Sequence, residues 1–202
     1  MYICTDATAG ANVWTNVGTG SGNVAPTSHA AGGSYGYCSG GAPSKNYITK
    51  YSFTSDGNDS DIGDLTVGRY SSPAGNSSTT YGYTAGGDPT NRIDKFSFSA
   101  GGNATDVADL VTNQMFTGGA DSTTHGYVLG GQSNVIQKYP FATDANSTDV
   151  GDLSMSKNTS QGASSSTHCY QIGGQGSNKI EKISFSTDGN ATDVGTIVGD
   201  TS

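Results

Sequence analysis

The sequence contains the segment Tyr81-Gly82-Tyr83-Thr84-Ala85-Gly86-Gly87, and three further segments share its pattern. In each of the four copies, a tyrosine and two more residues precede a pair of glycines. The pairs are Gly40-Gly41, Gly86-Gly87, Gly130-Gly131 and Gly173-Gly174. Their second glycines are 46, 44 and 43 residues apart. A repeat of this length indicates a propeller or a solenoid.

A second shared string follows each glycine pair after a polar loop. The four strings are Ile48–Phe53, Ile93–Phe98, Ile136–Phe141 and Ile180–Phe185. Their alternation is typical of a strand, which in the first copy places Thr49, Tyr51 and Phe53 on one face and Lys50 on the other. We expect the tyrosine before each glycine pair to be buried between neighbouring sheets, with the last phenylalanine of each string behind it.

A polar turn and a short fourth strand complete each copy. The turns are Asp56-Gly57-Asn58, Gly101-Gly102-Asn103, Asp144-Ala145-Asn146 and Asp188-Gly189-Asn190. Such residues favour hairpins. The fourth strands are predicted at Asp61–Leu65, Asp106–Leu110, Asp149–Leu153 and Asp193–Ile197. Stretches rich in glycine, alanine and serine separate the copies, and these small residues suit an inner strand that crosses a crowded axis.

This order of strands resembles the kelch repeat across about residues 25 to 198. The resemblance implies an all-β fold, a kelch-like β-propeller with four tandem blades of about 44 residues, either closed or part of a larger array. The predicted blades cover residues 24–67, 68–112, 113–155 and 156–202. The tryptophan that kelch repeats usually carry near the fourth strand is absent from all four copies.

Residues 1–23 read as a separate β-hairpin and linker. Tyr2–Thr5 and Asn12–Val17 form a strand–turn–strand pattern, and Gly18–Gly22 is typical of a flexible linker. The only tryptophan, Trp14, leaves two alternatives open. It belongs either to a hairpin of a preceding domain or to a stray fourth strand that closes a ring by pairing with the last blade.

Composition and charge exclude several classes of partner. The formal net charge is −8 with nine Lys and Arg, so the overall field repels a phosphate backbone, and we expect no nucleic acid. No apolar stretch approaches the roughly 20 residues that span a bilayer, and no signal peptide is visible at the start. Cys4, Cys38 and Cys169 lack CxxC spacing, and we expect free thiols.

Few residues offer catalytic chemistry. The histidines are His29, His125 and His168, and the last two occupy the position that Tyr35 and Tyr81 fill in other copies. The sequence has no nucleophile elbow, zinc-binding His-Glu-x-x-His pair or phosphate loop. We therefore expect no enzyme, no catalytic residue and no cofactor.

Two sets of charges recur in every copy. The lysines are Lys50, Lys95, Lys138 and Lys182, and the aspartates are Asp61, Asp106, Asp149 and Asp193. We expect ion pairs within each blade.

The Asp-rich turns offer oxygens to calcium, but the second copy lacks the first carboxylate and no Glu stands at the twelfth loop position, so we predict ordinary turns and no metal. Turn composition likewise explains the repeated Asn-x-Ser/Thr triplets.

The loops after the glycine pairs are where the copies differ most. They span Ala42–Tyr47, Asp88–Arg92, Gln132–Val135 and Gln175–Lys179. Three of them hold scarce positive charges, Lys45, Arg92 and Lys179. Variable loops on a repeated scaffold form a recognition surface, so we predict that these three residues lie on a binding face.

The hairpin sequence Tyr2–Asp6 and Asn12–Gly18, before charge-poor repeats, is similar to structural and tail-fibre proteins of marine tailed bacteriophages. The resemblance implies a non-enzymatic virion component, a tail fibre or a decoration protein, located on the virion or outside the cell. Its partners would be other virion subunits or a host-surface glycan or protein, and it could form a homo-oligomer. The alternatives are a cellular kelch-type adaptor or extracellular adhesin and, third, a propeller enzyme such as a lyase or an oxidase.

Overall fold

The computed structural model describes residues 2–6, 13–16, 33–88, 90–158 and 161–198, and every regular element there is a β-strand. The chain divides into two compact units, Met1–Ala30 and Ala31–Ser202. The first unit contains an antiparallel hairpin of β1 (Tyr2–Asp6) and β2 (Val13–Asn16). The backbone of Trp14 lies opposite that of Cys4 in this hairpin. The predicted linker at residues 18–22 and His29 lie outside the described residues.

The second unit contains four antiparallel sheets, and each sheet pairs its strands in chain order. Sheet 1 consists of β3 (Tyr35–Ser39), β4 (Lys45–Ser52) and β5 (Ser60–Arg69). Sheet 2 consists of β6 (Ala74–Ser77), β7 (Tyr81–Ala85), β8 (Arg92–Ser97) and β9 (Thr105–Asp109). Sheet 3 consists of β10 (Gly118–Asp121), β11 (His125–Leu129), β12 (Val135–Pro140) and β13 (Thr148–Asp152). Sheet 4 consists of β14 (Gln161–Ser164), β15 (His168–Ile172), β16 (Lys179–Ser184) and β17 (Thr192–Thr196). The all-β prediction is confirmed.

The glycine inside the Tyr-Gly-Tyr segment makes room for an aromatic ring. Gly82 lies opposite Phe96 in the ladder between β7 and β8, and a Cβ atom on Gly82 would collide with the Phe96 ring. Sheets 1 and 3 repeat this arrangement. In sheet 4 the corresponding pair is Cys169 and Ile183, both buried. A small side chain thus replaces glycine where an aliphatic residue replaces the ring, which conserves the packed volume.

Hydrophobic residues form three clusters, one for each pair of neighbouring sheets. In every cluster a phenylalanine packs against the tyrosine of the preceding sheet. The ring centroids are 4.6 Å apart for Phe98 and Tyr37, 4.8 Å for Phe141 and Tyr83, and 5.1 Å for Phe185 and Tyr127. This arrangement matches the predicted register for the middle of the array.

The two ends of the array depart from the predicted burial. Phe53, expected behind a tyrosine, is 63% exposed. Sheet 1 is the first of the four sheets of the second unit, so no tyrosine of a preceding sheet in that unit packs against Phe53. Tyr170, the corresponding tyrosine of sheet 4, is half-buried and makes a ring contact only with His168 of its own sheet in the part of the chain that is described. The predicted burial is therefore wrong for Phe53.

The first strand of sheet 3, β10, closely approaches the first strands of its two neighbours, β6 and β14. A Cβ atom on Gly119 would collide with the Gly75 carbonyl, and one on Gly162 would collide with the Gly119 carbonyl. Backbone therefore packs against backbone along these strands, as the small residues of these stretches predict.

Candidate functional site

A cleft lies beside the connection from β5 to β6, with a volume of about 530 Å³. We call it the β5–β6 cleft. The described residues that line it are Tyr37, Cys38, Ser39, Gly41, Ala42, Tyr70, Ser71, Ser72, Pro73, Ala74, Gly75, Thr84 and Phe116. None of these carries a charge, and six of them carry hydroxyl groups. The lining therefore suits a neutral ligand with many hydroxyl groups and some apolar surface.

Hydrogen bonds hold the floor of the cleft in an unusual backbone conformation. Ser71, Ser72 and Phe116 have positive φ values of 61°, 46° and 59°. Such values cost non-glycine residues about 1–3 kcal/mol each unless the surroundings hold them. The Phe116 N–H donates to the Ser71 carbonyl at 2.7 Å, and the Thr117 N–H donates to the Ser72 carbonyl at 3.2 Å. The β9–β10 connection, which contains Phe116, thus stabilises the β5–β6 connection, which contains Ser71 and Ser72, through these hydrogen bonds.

Tyr70 stands at the edge of the cleft with a fixed backbone and a solvent-exposed ring. Its N–H donates to the Asp88 carbonyl at 2.9 Å, and the Asp88 N–H donates back at 3.0 Å. The side chain is 46% exposed. Behind it, the hydroxyl groups of Ser39 and Thr84 lie 2.6 Å apart and join sheets 1 and 2. An exposed ring that loses little freedom on contact is a good platform for a ligand.

The three predicted binding residues each begin the third strand of a repeat, at β4, β8 and β16. Strand β4 begins at Lys45, so half of the predicted loop Ala42–Tyr47 is strand. The Lys45 ammonium lies 5.4 Å from the centre of the Tyr47 ring. Arg92 and Lys179 form ion pairs with aspartates of their own sheets, at 3.2 and 3.3 Å. None of the three lines the described part of the β5–β6 cleft.

The ion pairs predicted within each blade from the repeated lysines are wrong. A bulge follows the isoleucine of every third strand, so Asp61 stands opposite Thr49 rather than Lys50. The carboxylate instead accepts the N–H of Gly63 at 3.0 Å. The repeated lysine reaches the next sheet, where Lys95 pairs with Asp144 at 2.8 Å. Burial lowers the pKa of Lys95, but the hydrogen bond to Asp144 and the electrostatic interactions with Tyr83, Asp144 and Tyr81 together outweigh burial and raise it.

The turn asparagines of sheets 2, 3 and 4 also link neighbouring sheets. The Oδ1 atom of each accepts a backbone N–H from the last strand of the preceding sheet. The pairs are Asn103 with Asp64, Asn146 with Asp109, and Asn190 with Asp152, each at 3.0 Å. No group of three His, Cys, Asp or Glu side chains in the described residues could hold a metal ion. These turns therefore use their oxygens to join sheets.

Sequence reasoning missed a series of buried polar pairs beneath the connections between sheets. Arg69 and Asp94 are fully buried and lie 2.9 Å apart, and Lys157 and Glu181 form a second buried ion pair. The signal was present in the repeat alignment. Arg69 and Lys157 each stand four residues after the leucine that follows the fourth strand's Asp, and their partners Asp94 and Glu181 each follow the isoleucine of the third strand. Gln114 holds the same repeat position after sheet 2 and donates to the Val135 carbonyl at 3.3 Å.

Two of the described nucleophiles and bases, Cys169 and His125, have pKa values shifted by burial. Burial raises the pKa of Cys169 to about 12, so this thiol stays protonated and unreactive at neutral pH. Burial lowers the pKa of His125, whose Nδ1 lies 2.8 Å from the Thr124 hydroxyl. Cys38 is a free, exposed thiol.

No protein-family model matches the chain, and no curated protein matches it. Among the described residues there is also no helix of the length and apolar character needed to cross a membrane.

Proposed function

We propose that this chain is a kelch-like β-propeller module that binds ligands and other subunits and does not catalyse a reaction. The four successive sheets, the close approach of β10 to β6 and β14, and the Tyr–Phe contact between neighbouring sheets support this architecture. The similarity of residues 2–18 to phage tail-fibre sequences supports a place in a virion, as a fibre or decoration component.

The ligand we propose is a neutral saccharide of a host surface, held in the β5–β6 cleft. Tyr70 carries this proposal, because its exposed side chain is part of an uncharged lining that is rich in hydroxyl groups. Sugars present C–H faces that stack on such rings and hydroxyl groups that bond to serine and threonine. An anionic ligand would find no cation among the described residues that line this cleft.

Binding of the full chain to an array of bacterial surface polysaccharides tests the ligand. We expect Tyr70→Ala to weaken binding about tenfold or more, equivalent to about 1.4 kcal/mol. Tyr81→Ala is the matched control, because Tyr81 is similarly exposed at 39% but does not line the cleft. Equal binding by both variants would reject the cleft as the site.

The position of the gene tests the virion assignment separately. Capsid or tail genes beside it would support a virion component, and a secretion operon would reject one. In the second case, glycan binding that depends on Tyr70 would favour the extracellular adhesin.

A further inference from the structure

One set of contacts recurs where neighbouring sheets meet. Between sheets 3 and 4 it comprises the rings of Tyr127 and Phe185, the ion pair of Lys138 and Asp188 at 2.6 Å, and the hydrogen bond from the Asp152 N–H to Asn190. Sheets 2 and 3 repeat all three contacts. Sheets 1 and 2 repeat the ring contact and the asparagine bond, and they lack the ion pair because Gly101 replaces the aspartate.

The end face of sheet 1 carries one half of this contact set without the other. It consists of Phe53, Asp56 and Asn58, all exposed. These residues correspond in the repeat to Phe185, Asp188 and Asn190. In the described part of the chain, none of the three side chains contacts another sheet.

The end face of sheet 4 carries the complementary half. It consists of Tyr170, Lys182 and the Thr196 N–H, which correspond to Tyr127, Lys138 and the Asp152 N–H. Val194 on this face is 46% exposed, whereas the corresponding Val150 packs against the cluster between sheets 3 and 4. None of the three hydrophobic clusters of the described residues joins this face to another sheet.

A glycine on the end face of sheet 4 points to a missing neighbour. Gly63 and Gly151 pack against the turn of the next sheet, where a Cβ atom on either would collide with the carbonyl of Gly102 or Gly189. Gly195 repeats this glycine, although no described atom lies within 4 Å of its Cβ position. The carbonyl that would fill this space in a continued array belongs to the Asp56-Gly57-Asn58 turn.

We propose that the end face of sheet 4 packs on the end face of sheet 1 of a second copy of this chain. The contact would pair Tyr170 with Phe53, Lys182 with Asp56, and the Thr196 N–H with Asn58. The two faces differ and are complementary, which makes the contact heterologous, and such contacts form rings when the rotation closes. Two copies of four sheets would form an eight-bladed ring, within the four to eight blades of β-propellers.

One position departs from the pattern and still fits the contact. Asp59 stands where sheet 3 has Ser147, whose hydroxyl accepts the Val111 N–H at 2.9 Å and donates to Gln137. In the contact between copies, the Asp59 carboxylate would accept the N–H of Val198. The hydroxyl of Thr49, which corresponds to Gln137, would be its second donor.

Analytical ultracentrifugation of the full chain over a wide range of concentration tests the proposal. We expect a dimer, and we expect Phe53→Ala to raise its dissociation constant by about tenfold or more. Asp56→Lys and Lys182→Glu should each weaken the dimer, and the double variant should restore it. Lys50→Glu is the control, because it makes the same change of charge at the same strand position of sheet 1, away from the contact.

A monomer at every concentration, or a dimer that these variants leave intact, would overturn the proposal. Larger assemblies that the same variants disperse would support the contact between copies. The inference rests on the array architecture of the proposed function and is independent of the saccharide. Loss of glycan binding by Tyr70→Ala in an intact dimer, and retention of glycan binding by a monomeric Phe53→Ala variant, would separate the two proposals.

Discussion

The connections into sheets 3 and 4 are held by side chains at the same repeat position, Gln137 and Glu181, but by different chemistry. Ser154 donates its N–H to Glu181 at 2.7 Å, and the buried Lys157 neutralises that carboxylate. In sheet 3, the Thr112 N–H donates to the Gln137 amide oxygen at 3.3 Å, and the Gln137 amide donates back to the Thr112 carbonyl at 3.1 Å. Each connection therefore has a buried side chain that accepts a hydrogen bond from its backbone N–H. That side chain can be charged, as Glu181 is, or neutral, as Gln137 is.

The connection into sheet 2 shows the condition under which a charge is tolerated. Asp94 accepts the Thr66 N–H at 2.9 Å and pairs with Arg69, and both charged residues are fully buried. A cation thus accompanies each anion, whereas the neutral Gln137 bonds to Thr112 and Ser147. Because an unpaired buried charge is costly, the two positions of a pair must change together.

The largest loss of stability is expected when only one residue of a buried ion pair is replaced by a neutral one. Glu181→Gln leaves Lys157 buried without a counter-charge, and we expect a loss of about 3–5 kcal/mol in the free energy of unfolding. Gln137→Ala is the comparison in sheet 3, where the loss of a neutral hydrogen-bonding group should cost about 1–3 kcal/mol. Urea denaturation of both variants measures the difference.

The double variant Lys157→Gln, Glu181→Gln is the control for this prediction. It gives sheet 4 the neutral chemistry of sheet 3, so it should be more stable than Glu181→Gln alone. Equal losses in the single and double variants would show that balanced charge is not the requirement.

Lowering the pH should weaken the contact that holds the connection into sheet 4, but not the matching contact in sheet 3. Burial alone would raise the pKa of Glu181, but the hydrogen bonds from Lys157 and Ser154 and the charge of Lys157 together outweigh burial and lower this pKa. A carboxyl group whose pKa is lower in the folded state contributes stability above its unfolded pKa, near 4.3 for glutamate, and loses it as the pH falls through the folded value. The wild type should therefore lose more stability than the Gln–Gln double variant as the pH falls from about 5.

Denaturation at a series of pH values gives this comparison directly. Gln137 does not titrate, so the matching contact of sheet 3 should contribute no slope in this range. The same slope in the wild type and the double variant would contradict the lowered pKa of Glu181.

The sequence predicted the strand order because the repeated segments show the periodicity and turns of each sheet. It did not predict the partners of the repeated charges. The bulge after Ile48 moves Asp61 away from Lys50, and a local displacement of this kind leaves no signal in the alternation of polar and apolar residues. Burial of Phe53 was also predicted wrongly, because a phenylalanine at an interface position is buried only where a neighbouring sheet is present. The buried pairs could have been found by comparing aligned positions between repeats.

Removal of an ion pair between sheets should cause the smallest loss of stability. Lys138 is only 18% exposed, but its partner Asp188 is 47% exposed, so water and salt screen the pair. We expect Lys138→Ala to cost about 0.2–1 kcal/mol of unfolding free energy at low salt, and less at high salt. Lys182→Ala is the matched control, because Lys182 has no ion pair in the described chain.

Both lysine variants are best measured in the Phe53→Ala background, where we expect the chain to be monomeric. There, Lys182→Ala should change stability by no more than about 0.5 kcal/mol, and salt should not affect the change. In the wild-type background, Lys182 would pair with Asp56 of the second copy, so Lys182→Ala should acquire a salt-dependent cost. The same small, salt-independent effect in both backgrounds would contradict a contact between copies at Lys182, whereas the internal pair of Lys138 should respond to salt in both.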